Sequence, residues 1–275
     1  MKLVLPFLFV VLVAALLPRG GDQMPASKPP ASASTAGGET PAPVVVELFT
    51  SEGCSSCPPA DALLAKLDAT QPVGGAHIIA IEEHVDYWNH LGWADPFSSG
   101  EWTARQENYE AALHQDGAYT PQMVVGGHLE FVGSRGDLAA AAIEKARQLA
   151  AVRVSLERAA PKDPGELHFA VTVGRPADPV PKDTAEVWIA VTESGLASQV
   201  SRGENAGRNL RHAPVLRSLQ RIGTVEGNGD RASFQREVPV KLRPEWNRDR
   251  LAVIVLVQEK KSRRIVGAAE VRAAG

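Results

Sequence analysis

The chain is poor in cysteine: of its 275 residues, Cys54 and Cys57 are the two it has. With no second Cys-x-x-Cys, a closed zinc site of four thiolate ligands is excluded. An excess of one charge is missing too. Lysine and arginine number 29 against 32 aspartate and glutamate, so there is no basic stripe, and no nucleic-acid partner is expected. Beyond the N-terminus no run is long and apolar enough to span a membrane. No internal repeat is visible. What the chain does have is enough apolar character, 44% hydrophobic residues, to exclude wholesale disorder.

The N-terminus differs in kind. Lys2 precedes an apolar run from Leu3 to Leu17, broken only by Pro6. Such a run matches the core of an export signal and falls short of the ~20 residues of a spanning helix. Residues 1–17 therefore read as a signal peptide or an N-terminal membrane anchor, since a tilted or mismatched segment is also possible. No cysteine follows it to carry a lipid, and the clean Ala-x-Ala, Ala31-Ser32-Ala33, lies well downstream. Residues 18–43 are rich in Pro, Ala, Ser, Gly and Thr and read as a disordered linker. The expected location is a bacterial periplasm or cell surface, where a cysteine pair persists as a disulfide.

Val44 to Thr50 reads as a buried strand, and Ser51-Glu52-Gly53 as a turn. Pro58-Pro59 suits the first turn of a helix that continues from Ala60 to Leu67. His77 to Val85 is a second strand. An irregular aromatic segment, Asp86 to Ser98, leads to a helix from Ser99 to Gln115, with Ser99 as N-cap and Glu101 in its first turn. Thr120 to Val125 and His128 to Val132 form a hairpin around Gly126-Gly127. An alanine-rich helix, Gly136 to Val152, follows, started by Ser134 or Asp137. Past Val152 the texture changes to short alternating runs, Leu167–Val173, Ala185–Val191, Ser233–Val240 and Leu251–Val257, as in an antiparallel β-sandwich. The expected organisation is an α/β domain over 44–152 with a mixed sheet, then a smaller all-β sandwich-like domain over 153–275.

Cys54-Ser55-Ser56-Cys57 sits between a strand and a helix start. The helix N-terminus favours a thiolate at Cys54, the species that attacks a disulfide. Cys57 is placed to resolve the mixed disulfide. Two other readings stay open. One is a staple, although a four-residue loop restricts the unfolded chain little on the chain-entropy model, and a short, accessible bridge suits exchange better. The other is a metallochaperone in which Cys54 and Cys57 join His84 or His90 around zinc or copper.

Pro121 opens a strand, where proline loses a ladder donor, and a cis bond is one reason for it. The βαβ-αββα order, with Cys-x-x-Cys at the first helix and Pro at the third strand, resembles the thioredoxin fold. The resemblance implies a thioredoxin-like domain in which Cys54 attacks, Cys57 resolves, Pro121 is a cis-proline and Thr120 offers backbone pairing to the substrate. The chain lacks the Trp before the first Cys and the Gly-Pro between the cysteines that mark thioredoxin itself. A closer resemblance is to an uncharacterised family of secreted bacterial proteins with a thioredoxin-like domain. It rests on Glu47 to Ala60, His84-Val85-Asp86-Tyr87-Trp88, Tyr119 to Val125, and Gly203-Glu204-Asn205-Ala206-Gly207-Arg208.

In this topology the end of the second strand faces the same edge as Cys54, where open α/β sheets place ligands. Asp86, Tyr87, Trp88 and Trp93 are then expected to wall a substrate groove, with His84 or Glu52 handling protons. The equally open alternative is a packed aromatic loop with a hydrogen-bonded His84. Arg202, Arg208, Arg211 and His212 cluster in a glycine-bearing loop that binds an anion, docks on the first half or is simply solvated. The leading expectation is a thiol–disulfide oxidoreductase acting on protein or small-molecule thiols and disulfides. It needs no cofactor, and no separate metal site is assigned. The alternative is a binding module with a structural disulfide. Oligomeric state is not written in the sequence.

Overall fold

The computed structural model describes residues 40–149, 152–160, 163, 165–176, 183–225 and 234–272. The signal or anchor at 1–17, and the linker as far as residue 39, lie outside the described residues.

The first half follows the sequence pattern closely. β1 (Ala42–Thr50) leads through the cysteine turn into α1 (Pro58–Thr70), and β2 (Ala76–His84) returns parallel to β1 with Thr50 opposite His84. Both strands are near-continuous apolar runs because helices cover both faces. On one face α1 and α3 (Gly136–Arg147) bury Val44, Val46, Leu48, Ile78 and Ala80. On the other, α2 (Gly100–Leu113) brings Trp102 against Val45, Ile79 and Ile81. Ser99 caps α2 by accepting from the Glu101 N–H at 3.1 Å. β3 (Gln122–Val125) pairs antiparallel with β1 and with β4 (Leu129–Val132). Gly126 and Gly127 both have positive φ, 59° and 73°, and His128 joins their turn rather than opening the returning strand. α3 ends at Arg147, well before the expected Val152, and its N-cap is Arg135, which makes no side-chain cap bond.

The second half overturns the expected fold class. It is not a self-contained thioredoxin-like α/β domain followed by a separate β-sandwich. The later strands are β5 (Val152–Ala159), β6 (Glu166–Pro176), β7 (Ala185–Glu193), β8 (Ala197–Gln199), β9 (Asn209–Arg211), β10 (Val215–Val225), β11 (Phe234–Lys241), β12 (Leu251–Glu259) and β13 (Ile265–Arg272). Four of them extend the first sheet, giving one eight-stranded mixed sheet in the order β13-β12-β7-β10-β2-β1-β3-β4. The join is β10. Val215 bridges Glu82 in parallel, and the Glu82 N–H donates to Pro214 O at 2.9 Å. Beyond that point β10 pairs antiparallel with β7. The C-terminal end of the β2 edge is thereby paired, at Glu82. A three-stranded sheet, β11-β6-β5, packs on the far half through Phe169, Val171, Val187, Val253 and Val255. A single compact unit spans Glu39–Gly275. No helix among the described residues is long and apolar enough to cross a membrane.

Candidate redox site and its buried charges

β1 and β2 end side by side, and the turn after β1 carries the cysteines. The Cys54 N–H donates to Ser51 O at 3.1 Å, and the Cys57 N–H to Cys54 O at 3.3 Å. This tight turn places Cys57 as the N-cap of α1, with Pro58 and Pro59 where the helix has no N–H partner to lose. Cys54 and Cys57 form a disulfide with Cα atoms 5.5 Å apart. The cysteines themselves are 0% exposed, while Ser55 and Ser56 between them face solvent. The bridge is formed but covered, unlike the accessible bridge expected.

The cover is the tip of the β8–β9 hairpin. Asn205 Nδ2 donates to both Glu52 O and Cys54 O at 2.9 Å, and the Ser55 N–H donates to Glu204 Oε2 at 3.0 Å. The tip is folded on itself, with the Val200 N–H donating to Arg208 O at 2.9 Å and the Gly207 N–H to Val200 O at 2.8 Å. Gly203 and Gly207 take φ of 75° and 81°, values that glycine adopts without strain. The Gly203–Arg208 motif thus docks on the cysteine turn. Arg202, Arg208 and Arg211 stay exposed, whereas His212 is buried.

Trp88, one of the expected groove residues, joins the cysteine turn to Thr120. It packs against Gly53, where any Cβ would lie 3.0 Å from Trp88 Cβ, and its Nε1 donates to Thr120 Oγ1 at 2.9 Å. The Thr120–Pro121 bond is cis. Asp86 is turned elsewhere: its Oδ1 accepts from Thr103 Oγ1 at 2.7 Å, holding the aromatic segment to α2. Exposed His90 faces Tyr87 O, with Nδ1 at 2.6 Å.

Beneath the turn lies a buried chain of charges that joins Glu52 and His84 through His212, which the sequence offered only as an anion-binding or docking residue, and through Glu82 and Asp95, which it did not single out. His84 Nδ1 is 2.7 Å from Asp95 Oδ2, and its Nε2 is 3.1 Å from Glu82 Oε1. His212 Nδ1 is 3.0 Å from the same Glu82 oxygen, and its Nε2 is 2.9 Å from Glu52 Oε1. Further donors hold all three carboxylates. Trp93 Nε1 donates to Glu52 Oε2 at 2.8 Å, the Glu52 N–H donates to Asp95 Oδ2 at 2.8 Å, and the Ala213 N–H donates to Glu82 Oε2. His212 and Ala213 reach Glu82 because β10 begins beside it. The sequence signal was Glu82-Glu83-His84 closing an apolar strand, since charged groups are rarely buried unless paired.

Charge partners decide the titration here. Burial works against charge on Glu82, yet hydrogen bonds from His212 and His84 outweigh it and hold the carboxyl below its ordinary range. Burial likewise opposes the His84 cation, but Asp95 and then Glu82 push its pKa well up. His212 rises to about 9, burial being outweighed by its bonds to Glu52 and Glu82. Asp61, one turn into α1, goes the other way. Burial, with the Glu82 charge added, lifts it to about 8 despite the hydrogen bond from Thr50 Oγ1 at 2.7 Å. The group of metal-type ligand atoms that includes His84 also holds Glu82 and His212, and neither cysteine.

Fold and site together define a strand-rich chain built on one mixed eight-stranded sheet, with a Cys-x-x-Cys disulfide at a helix start, capped by a hairpin and backed by a buried His–carboxylate network. The chain belongs to the family described as protein of unknown function (DUF1223), which matches residues 45–258. Among solved structures it is similar to protein AGR_C_4864 from Agrobacterium tumefaciens. That match has 28% identity, a TM-score of 0.60, and coverage of 84% of this chain and 94% of that one. It also shares its fold with HBP35 of Porphyromonas gingivalis, at 15% identity and a TM-score of 0.64, with 86% of this chain and 76% of that one covered. No curated protein matches the chain.

Proposed function

We propose that this protein is an exported thiol–disulfide oxidoreductase whose Cys54–Cys57 pair works when the β8–β9 tip lifts. The observation that carries the reading is a four-residue disulfide loop at the N-terminus of α1, pinned by three hydrogen bonds from Asn205 and to Glu204. In the reducing direction a Cys54 thiolate attacks a substrate disulfide and expels one substrate thiolate. Cys57 then attacks Cys54 sulfur, expelling the second and closing the bridge, so that two electrons pass to the substrate. The opposite direction runs the same bonds backwards on a substrate dithiol. Asp61, which keeps a proton to about pH 8, is a proton store one turn from Cys57. The apolar run at 3–17 and the disulfide support a periplasmic or cell-surface location.

One observation favours the rival reading, a binding module with a structural staple: both cysteines are fully buried. Two measurements separate them. An exchange pair has a reduction potential above about −300 mV, and a Cys57→Ser protein traps mixed disulfides in cells. A potential below that value with nothing trapped makes the bridge a staple. Gating adds its own signature. Asn205→Ala removes two hydrogen bonds of about 1 kcal/mol each, so dithiothreitol should reduce the bridge about tenfold faster or more. An unchanged rate removes the hairpin from the mechanism.

A further inference from the structure

We propose that Glu82, His84 and His212 form a site for one divalent first-row transition-metal ion, bound through His84 Nε2, His212 Nδ1 and Glu82 Oε1 and independent of the cysteines. The three ligand atoms lie within 4.8 Å of one another. Glu82 Oε1 stands 3.1 Å from one ring nitrogen and 3.0 Å from the other. Neighbouring ligands around an ion with bonds of about 2.0–2.1 Å stand about 3.0–3.4 Å apart, the range of both Glu82–histidine separations. Two imidazoles and one carboxylate suit zinc or iron(II) rather than calcium or magnesium, which prefer all-oxygen sets.

The second observation is the outer layer. The remaining nitrogen of each ring faces its own carboxylate, His84 Nδ1 with Asp95 and His212 Nε2 with Glu52. Metal-ligating histidines carry this arrangement because it fixes the tautomer and makes the ring a better donor. The carboxylates are themselves held, Asp95 by the Glu52 and Phe97 N–H groups and Glu52 by Trp93. The second oxygen of Glu82 is occupied by the Ala213 N–H, leaving Oε1 to face the rings. Phe97 packs edge-on against both imidazoles, with centroids 5.4 and 5.2 Å away. A purely structural ion-pair chain does not need each ring clamped from behind while both front nitrogens converge on one oxygen.

The test uses the full, untagged chain with its disulfide intact, stripped by chelator and titrated with Zn(II) alone in a calorimeter and Co(II) alone in a spectrophotometer. The expected result is one ion per chain and cobalt d–d bands of a nitrogen–oxygen set without thiolate charge transfer. His212→Ala and Glu82→Gln should each weaken binding at least 100-fold, and Cys54→Ser/Cys57→Ser should leave it unchanged. Should the ligand variants misfold, Asp95→Asn, which alters only the outer layer, should weaken binding by about 10- to 100-fold. No binding below millimolar zinc overturns the proposal. So does binding that survives the variants but is lost in Cys54→Ser/Cys57→Ser or in His168→Ala, the latter marking the partly exposed Asp163, Glu166 and His168 group instead. The redox reading stands or falls separately, on the potential and the trapping.

Discussion

Asp61 and Arg105 show how single buried charges set the behaviour of this protein. Asp61 has an ordinary pKa of 3.8 unfolded and about 8 in place. Below pH 3.8 both states hold the proton. Between those values the folded state keeps a proton that the unfolded state has lost, so stability falls as pH rises, levelling off above about 8. Asp61→Asn removes that slope. In chelator, the midpoint of Asp61→Asn relative to the parent should climb steadily from pH 5 to pH 8; a flat or falling difference refutes the assignment. Arg105 is the counterpart on the opposite face. Its Nε donates to Glu47 at 2.7 Å, Nη2 to Tyr109 Oη at 3.2 Å and Nη1 to Gln258 at 3.3 Å, with Glu83 3.4 Å away. Burial, only partly offset by Arg105, keeps the Glu83 pKa well up, and Glu47 is the carboxylate in hydrogen-bond contact with this cation. Arg105→Ala should cost about 3–5 kcal/mol by chemical denaturation, and Arg105→Lys should recover little, since Lys lacks the fork. A loss under about 1 kcal/mol would show that this contact does not hold the two faces together.

Among the elements, α1 and the β8–β9 hairpin carry the site between them. α1 was readable because proline, alanine and leucine spacing all point to one helix after a turn. The hairpin was not, because β8 and β9 are three residues each, too short for periodicity to register. Its tip nonetheless carries part of the family resemblance, and its Glu204 and Asn205 touch the cysteine turn. The aromatic segment divides. Trp88 and Trp93 turn inward to Thr120 and Glu52, while Asp86 turns back to α2. No spacing rule separates those outcomes, because which side chain faces the cysteines depends on where α2 packs.

The whole molecule differs from its expected plan through one strand. β10 contains Arg217, Ser218, Gln220 and Arg221 and shows no clean alternation, so nothing local marks it as the strand that joins two halves. Its pairing with both β2 and β7 makes the halves one sheet, and that has a thermodynamic consequence. Backbone pairing and the core spread over both halves, so unfolding should be a single cooperative transition, coincident by far-UV and near-UV circular dichroism. Phe169→Ala, deep in the far half, should lower stability by about 3–5 kcal/mol and move both signals together. Two separated transitions would instead mean that the halves unfold independently.

The sequence by itself determined the elements of the first half, the cysteine turn at a helix start, the proline at 121 and the apolar N-terminal run. These are local features, written in spacing, turn chemistry and hydrophobic pattern. Only the tertiary structure decided that the disulfide is covered, that β10 joins β2 at Glu82, and that Glu52, Glu82, His84, Asp95 and His212 form one buried network. Those facts depend on residues more than a hundred positions apart meeting across a sheet junction, as His212 does with Glu82 and Glu52. Pairing of that kind is settled by which strand edge remains unsatisfied, and no local pattern reports it.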